Sequence, residues 1–346
     1  MLRKAVLLTI FVVFAAVNCL LSQNHQKDRK IANTTIVPFF HFGGLLLLQG
    51  AADDRYGYFI LDTGAPSLIL NQKYFNEMSS AGGVEQTAVG LNGGVKRVRM
   101  RYADLELGNR KWNNVYAALY DLEYLEEAKG IQILGLIGSL IFRNDELEID
   151  FEKKQLLIYE LDRQGEMIDV SARRIPPDVA IPFNQKGHLP CIEAYVEGLP
   201  LRLGIDSGAG IALIIHEKHT QLSPFAEPEE IIRIRGLDQN SVQTRTYQLH
   251  GLNVSNLSYS RLRIAFTDLS SINDQFAGLD VDGILGLDAL SQHRMSINFR
   301  KKEIYIWVPP SEDDQLVLRD RKTKEPKRKE IMDVQPGRAE FTTNRY

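Results

Sequence analysis

The feature that most constrains this chain is that it repeats itself. Val37-Pro38-Phe39, Gly43 and Asp62-Thr63-Gly64-Ala65 recur as Ile181-Pro182-Phe183, Gly187 and Asp206-Ser207-Gly208-Ala209. Pro38 and Pro182, Gly43 and Gly187, and Asp62 and Asp206 are each 144 positions apart. Further on, Gly135-Leu136-Ile137-Gly138 matches Gly283-Ile284-Leu285-Gly286, and Ile149-Asp150-Phe151 matches Ile297-Asn298-Phe299, now 148 positions apart. The second copy therefore carries four more residues in its middle. Two halves with the same landmarks are expected to fold alike.

Each copy is built from short β-signals. Tyr58-Phe59-Ile60-Leu61 runs into the first Asp and Leu201-Arg202-Leu203-Gly204-Ile205 into the second. Ser67-Leu68-Ile69-Leu70 and Ile211-Ala212-Leu213-Ile214-Ile215 follow them. Gln155-Leu156-Leu157-Ile158-Tyr159 and Glu303-Ile304-Tyr305-Ile306-Trp307 close the copies, each after a Lys-Lys pair that suggests a hairpin turn. Short apolar runs divided by Gly and polar residues predict an all-β chain. Short helices are expected near residues 71–75, 216–219, 139–142 and 288–290.

The remaining segments read as follows. Arg3 and Lys4 precede an apolar run over residues 5–17, the pattern of an export signal over 1–23. It is expected to be cleaved or kept as a membrane anchor, and Cys19 offers a third route, lipidation. With Cys19 gone or lipidated, Cys191 has no intrachain partner, which suits a bacterial periplasm or cell envelope. Residues 36–160 and 180–308 are the two lobes. A polar stretch over 161–179, with Arg173-Arg174 and Pro176-Pro177, reads as their linker. The tail over 309–346 is charge-dense and without apolar periodicity, hence read as disordered. A net charge of −3 argues against a nucleic-acid partner, since phosphate binding needs clustered Lys and Arg.

One Asp-Thr/Ser-Gly is weak evidence, because it arises by chance in roughly one chain in six of this length. Two, at matching places in a repeat, each between apolar strands and each with a later apolar-apolar-Gly element, are far stronger. On these residues the chain resembles the aspartic peptidases, pepsin-like and retropepsin-like, over both copies. The resemblance implies an all-β, bilobed acid protease fold: two duplicated β-barrel-like lobes with the active site between them. It implies an aspartic-type endopeptidase with catalytic Asp62 and Asp206, in which a water held between the carboxylates attacks the scissile carbonyl. The rival reading is a peptide-binding protein of the same fold that does not hydrolyse.

The chemistry needs both acids. Two facing carboxyls cannot both ionise cheaply, so one pair supplies the base that activates water and the acid that protonates the leaving amine. Such a dyad titrates as a unit. Gly64 and Gly208 let amides approach the carboxyls. Thr63 and Ser207 resemble the family's hydroxyl pair that ties the two loops together. Ala65 and Ala209 put a methyl where many pepsins have a hydroxyl, which is expected to raise the dyad's pKa and give a mildly acidic to near-neutral optimum. Flap candidates are Gly90, Leu91, Asn92, Gly93 and Gly94 in the first copy, and Gly236 and Leu237 in the second. No metal or organic cofactor is implied. A peptide or protein substrate is expected, and one chain suffices for a complete site, so the monomer is the expected active form.

Overall fold

The structure is a computed structural model that describes residues 33–76, 85–89, 95–173, 175–236, 241–270 and 280–308. The leader over 1–23, the tail over 309–346, the flap candidates over 90–94 and Leu237 lie outside the described residues.

The first copy comprises β1 (Thr34–Phe42), β2 (Leu45–Ala52), β3 (Arg55–Asp62), β4 (Leu68–Asn71), α1 (Gln72–Phe75), β5 (Glu85–Val89), β6 (Val95–Leu107), β7 (Arg110–Tyr120), α2 (Glu123–Lys129), β8 (Gly135–Gly138), β9 (Asp145–Asp150) and β10 (Gln155–Glu160). Six strands run in the order β2-β3-β8-β4-β7-β6, and pairing of β2 with β6 closes them into a barrel. The strands alternate or run wholly apolar towards the barrel interior, where Phe59, Leu61, Leu105 and Phe142 are buried. Each such side chain contributes about 1.5–3 kcal/mol on leaving water.

The second copy follows: β11 (Val179–Pro182), β12 (Asn184–Lys186), β13 (Leu189–Val196), β14 (Leu199–Ile205), β15 (Ala212–Ile215), α3 (His219–Leu222), β16 (Ala226–Arg235), β17 (Ser241–Leu249), β18 (Leu252–Val254), β19 (Leu257–Tyr259), β20 (Leu262–Thr267), β21 (Gly283–Leu285), α4 (Leu287–Leu290), β22 (Arg294–Asn298) and β23 (Glu303–Trp307). The sheet β13-β14-β21-β15-β20-β17 repeats the order of the first barrel. Its closing strand is broken at His250–Gly251, where Gly251 takes a φ of 71°. The first piece, β17, pairs with β20, and the second, β18, pairs with β13.

The copies are joined by a six-stranded sheet ordered β11-β23-β22-β9-β10-β1, with three strands from each. Its central pairing is β22 against β9: Met295 opposite Ile149, Ser296 opposite Glu148 and Ile297 opposite Leu147. By the repeat, Glu148 and Ser296 are equivalent positions, and the Met295–Ile149 and Ile297–Leu147 pairs exchange under it. An internal two-fold therefore passes between Glu148 and Ser296, as in an isologous dimer interface. The two halves of one chain pack as a dimer would.

One face of this sheet is charged yet covered. All six residues of β9 are buried, including Asp145, Glu146, Glu148 and Asp150. Arg294 donates to Glu148 through Nε at 2.8 Å and through a terminal nitrogen at 2.6 Å. The segment between the copies does more than connect them. It lays Arg173 over the rings of Tyr159, Tyr305 and Trp307 and pairs its guanidinium with Glu146. The short helices fall at the expected places, as α1, α3, α4 and 3-10 turns at Ser139–Phe142 and His216–Lys218. Among the described residues no helix is long and apolar enough to cross a membrane.

Candidate active site

Asp62 is the last residue of β3, and Asp206 follows the last residue of β14. Both strands end against a parallel partner. Leu61 lies opposite Ile137 and Asp62 opposite Gly138 on β8, while Ile205 lies opposite Leu285 on β21. The apolar-apolar-Gly elements are thus wedged between the strand that enters each Asp loop and the strand that leaves it. The amides of Gly138 and Ser139 donate to the carbonyls of Ser67 and Ala65, both at 3.0 Å, and Leu287 N–H donates to the Ala209 carbonyl at 2.7 Å. These bonds hold the loops from behind.

The two loops then interlock. Thr63 Oγ1 donates to the Ile205 carbonyl at 2.9 Å and accepts from Ser207 N–H at 2.9 Å. Ser207 Oγ donates to the Leu61 carbonyl at 2.9 Å and accepts from Thr63 N–H at 3.1 Å. All four bonds cross between the copies, and both hydroxyls are buried. These bonds bring Asp62 and Asp206 side by side, each carboxyl against the glycine of the other loop. They are 9% and 8% exposed, enough to meet a substrate but not to be fully hydrated.

The loops pass so close that only glycine fits at their tips. A Cβ on Gly208 would stand 2.5 Å from the carboxyl carbon of Asp62, and one on Gly64 would press equally on that of Asp206. The glycine amides use that proximity. Gly64 N–H and Gly208 N–H both donate to Asp206 Oδ1, at 3.1 and 2.8 Å, while Asp62 Oδ1 accepts from Ala65 N–H at 2.9 Å. Ala65 is buried and Ala209 half-buried, with methyls in the apolar clusters flanking the two loops.

Burial raises Asp62 well above the usual carboxylate range, and the charge of Asp206 and the bond to it push the same way. The amides of Ala65 and Gly64 pull back. Burial raises Asp206 as well, opposed first by the Gly208 amide and then by the bond from Asp62. Burial thus raises both carboxyls, and the two titrate as a unit. Two carboxyls this close that share one proton can accept a proton from water and return one to a leaving group.

The flap regions are bracketed by two hairpins, β5–β6 and β16–β17. Gly236, just after β16, is buried. The neighbouring Arg235 lays its guanidinium 5.6 Å from the ring of Tyr124 on α2, so the second copy's hairpin reaches the first copy. The acids near the second glycine element are engaged elsewhere. Asp282 accepts from Arg202 N–H at 2.8 Å and pairs with Lys218 at 3.1 Å, and Asp288 caps the Ala289 amide at 2.8 Å. No group of three candidate metal ligands occurs among the described residues.

One residue at the site escaped the sequence reading. His188, in the turn between β12 and β13, places Nε2 2.6 Å from the carbonyl oxygen of Gly64. Its only sequence signal is a difference between the copies, since Gly44 occupies the matching position.

An all-β pair of duplicated lobes, with a carboxyl from each meeting where their loops interlock, is the architecture of a two-lobed aspartic protease. The chain belongs to the aspartyl protease family, whose profile matches residues 49–140 and again 192–289, more than half of the chain. No curated protein matches it. Membership supports aspartic protease activity in general.

Proposed function

We propose that this protein is an aspartic endopeptidase that cleaves peptide bonds by water activated between Asp62 and Asp206. The observation that carries the reading is the pair itself. Two buried carboxyls from equivalent loops lie side by side, each against the glycine of the other loop, with three loop amides donating to their Oδ1 oxygens. With one proton between them, the ionised partner removes a proton from water as its oxygen attacks the scissile carbonyl. The protonated partner then supplies a proton towards the leaving amine. The pair does not need a covalent intermediate. The substrate class is a peptide or protein held extended across the loops.

We further propose that one chain is the active unit, because each copy supplies a single Asp loop and the four interlocking bonds are satisfied within the chain. Export to a bacterial envelope remains the reading of the leader, and fractionation of cells expressing the full chain tests it. The activity test is hydrolysis of casein and a peptide library between pH 3 and 8, with and without a statine-type inhibitor. Asp62→Asn and Asp206→Asn are each expected to abolish cleavage. Full activity in either variant overturns the dyad. Folded wild-type protein that binds peptides without cleaving them points to the non-hydrolysing rival.

A further inference from the structure

The two Asp loops are alike, but their neighbours are not. The hairpin turn of the first copy brings only backbone to the second loop, where a Cβ on Gly44 would lie 3.6 Å from the Cα of Gly210. The matching turn of the second copy brings a histidine to the first loop. His188 is 9% exposed. Its carbonyl accepts from Ser139 Oγ at 2.9 Å and from Gln185 Nε2 at 3.1 Å. Ser139 also donates its own N–H to the Ala65 carbonyl at 3.0 Å. The turn is therefore clamped to the loop that carries Asp62, and the ring has little freedom to move.

A carbonyl oxygen only accepts, so the 2.6 Å contact requires a hydrogen on His188 Nε2. Burial lowers the imidazolium's stability, which leaves the neutral Nε2–H tautomer in place at neutral pH. The accepting Gly64 carbonyl shares one peptide unit with Ala65 N–H, and that N–H donates to Asp62 Oδ1 at 2.9 Å. A donor pulling on one end of a peptide group strengthens the N–H at the other. The chain of contacts thus runs from imidazole, through one peptide, to one carboxylate of the pair. The first copy's Gly44 offers the second loop no side chain to do the same.

We propose that His188 is a positioning residue of the dyad: through the Gly64–Ala65 peptide it fixes the amide that holds Asp62, a support that Gly44 at the matching position does not give Asp206. The proposal rests on the reading of Asp62 and Asp206 as the catalytic pair. Asp206 is the titratable group that faces Asp62, while His188 acts through the peptide. Without the histidine donor, the Ala65 amide favours ionised Asp62 less, and the pair loses its last proton at higher pH.

The experiment uses the full chain and compares wild type, His188→Leu, His188→Gln and Asp62→Asn on one peptide substrate. His188→Leu is expected to lower kcat about tenfold, roughly the worth of one hydrogen bond, with KM within about twofold. The basic limb of its pH–rate profile is expected to move up by about half a pH unit. His188→Gln keeps an N–H near the same place and is expected to restore both. If His188→Leu matches wild type while Asp62→Asn is inactive, this proposal fails and the dyad stands. If Asp62→Asn is active, the dyad itself fails. A loss that His188→Gln does not rescue, with the limb unmoved, reduces His188 to packing and overturns the proposal. Should the leucine variant not fold, 15N NMR of the wild-type imidazole decides: an Nδ1–H tautomer at pH 7 is incompatible with donation from Nε2.

Discussion

Replacing Thr63 with valine keeps the side-chain shape and removes one hydroxyl from the interlock. Two bonds go: the 2.9 Å donation to the Ile205 carbonyl and the 2.9 Å acceptance from Ser207 N–H. Thr63 is 1% exposed and Ser207 fully buried, so water does not replace them. A lost hydrogen bond costs about 1 kcal/mol, and an orphaned buried N–H about 1–3 kcal/mol more. Thr63→Val should therefore destabilise the fold by about 2–4 kcal/mol, a large share of a typical stability of roughly 5–15 kcal/mol. Ser207→Ala removes the symmetry-related bonds and orphans Thr63 N–H, so its cost should agree within about 1 kcal/mol. Because both hydroxyls hold the same loop pair, the double variant should cost less than the sum by at least about 0.5 kcal/mol. Urea unfolding of the four proteins gives these values, and kcat should fall in each variant as the carboxyls lose their fixed spacing. A Thr63→Val protein within about 0.5 kcal/mol of wild type, with kcat intact, would refute the claim that the interlock holds the site together.

Three further outcomes follow from the same geometry. Asp62 has its folded pKa raised, chiefly by burial. Its contribution to stability is whole below the unfolded carboxyl pKa and is lost as pH rises through the folded one. The neutral Asp62→Asn variant should therefore gain stability relative to wild type between pH 4 and pH 8 in thermal melts, and a constant difference in Tm would contradict this. Gly64→Ala should cost at least about a hundredfold in kcat, because its Cβ collides with the Asp206 carboxyl, while circular dichroism stays β-rich; undiminished turnover would show that the loops are not in contact. Arg294→Met should destabilise by about 3–5 kcal/mol, since it leaves fully buried Glu148 without its guanidinium. Adding Glu148→Leu should recover most of that in denaturant titrations, and no recovery would mean that the pair is not the source of the loss.

Much of this molecule was legible in its sequence. The repeat announced two like halves, and the strands that carry Asp62 and Asp206 were visible as apolar runs ending in Asp-Thr/Ser-Gly. The parts that were not legible depend on pairings across more than a hundred residues. The alternating Asp145-Glu146-Leu147-Glu148-Ile149-Asp150 reads as a strand with one wet face. The structure buries all of it, because β22 pairs beside it and Arg173 of the intervening segment covers its acids. That segment read as a polar spacer, since nothing local marks an arginine whose partners are Tyr159, Tyr305 and Trp307.

By itself, then, the sequence determined the strands that enter and leave each Asp loop and close each copy, and which two acids stand at equivalent turns, because periodicity and turn chemistry act between near neighbours. Tertiary structure alone decided that those acids touch, that Thr63 and Ser207 interlock, and that His188 reaches one loop while Gly44 faces the other. Such contacts arise only when the two-fold pairing of β9 with β22 brings distant segments together, and no local pattern encodes a distance across that axis.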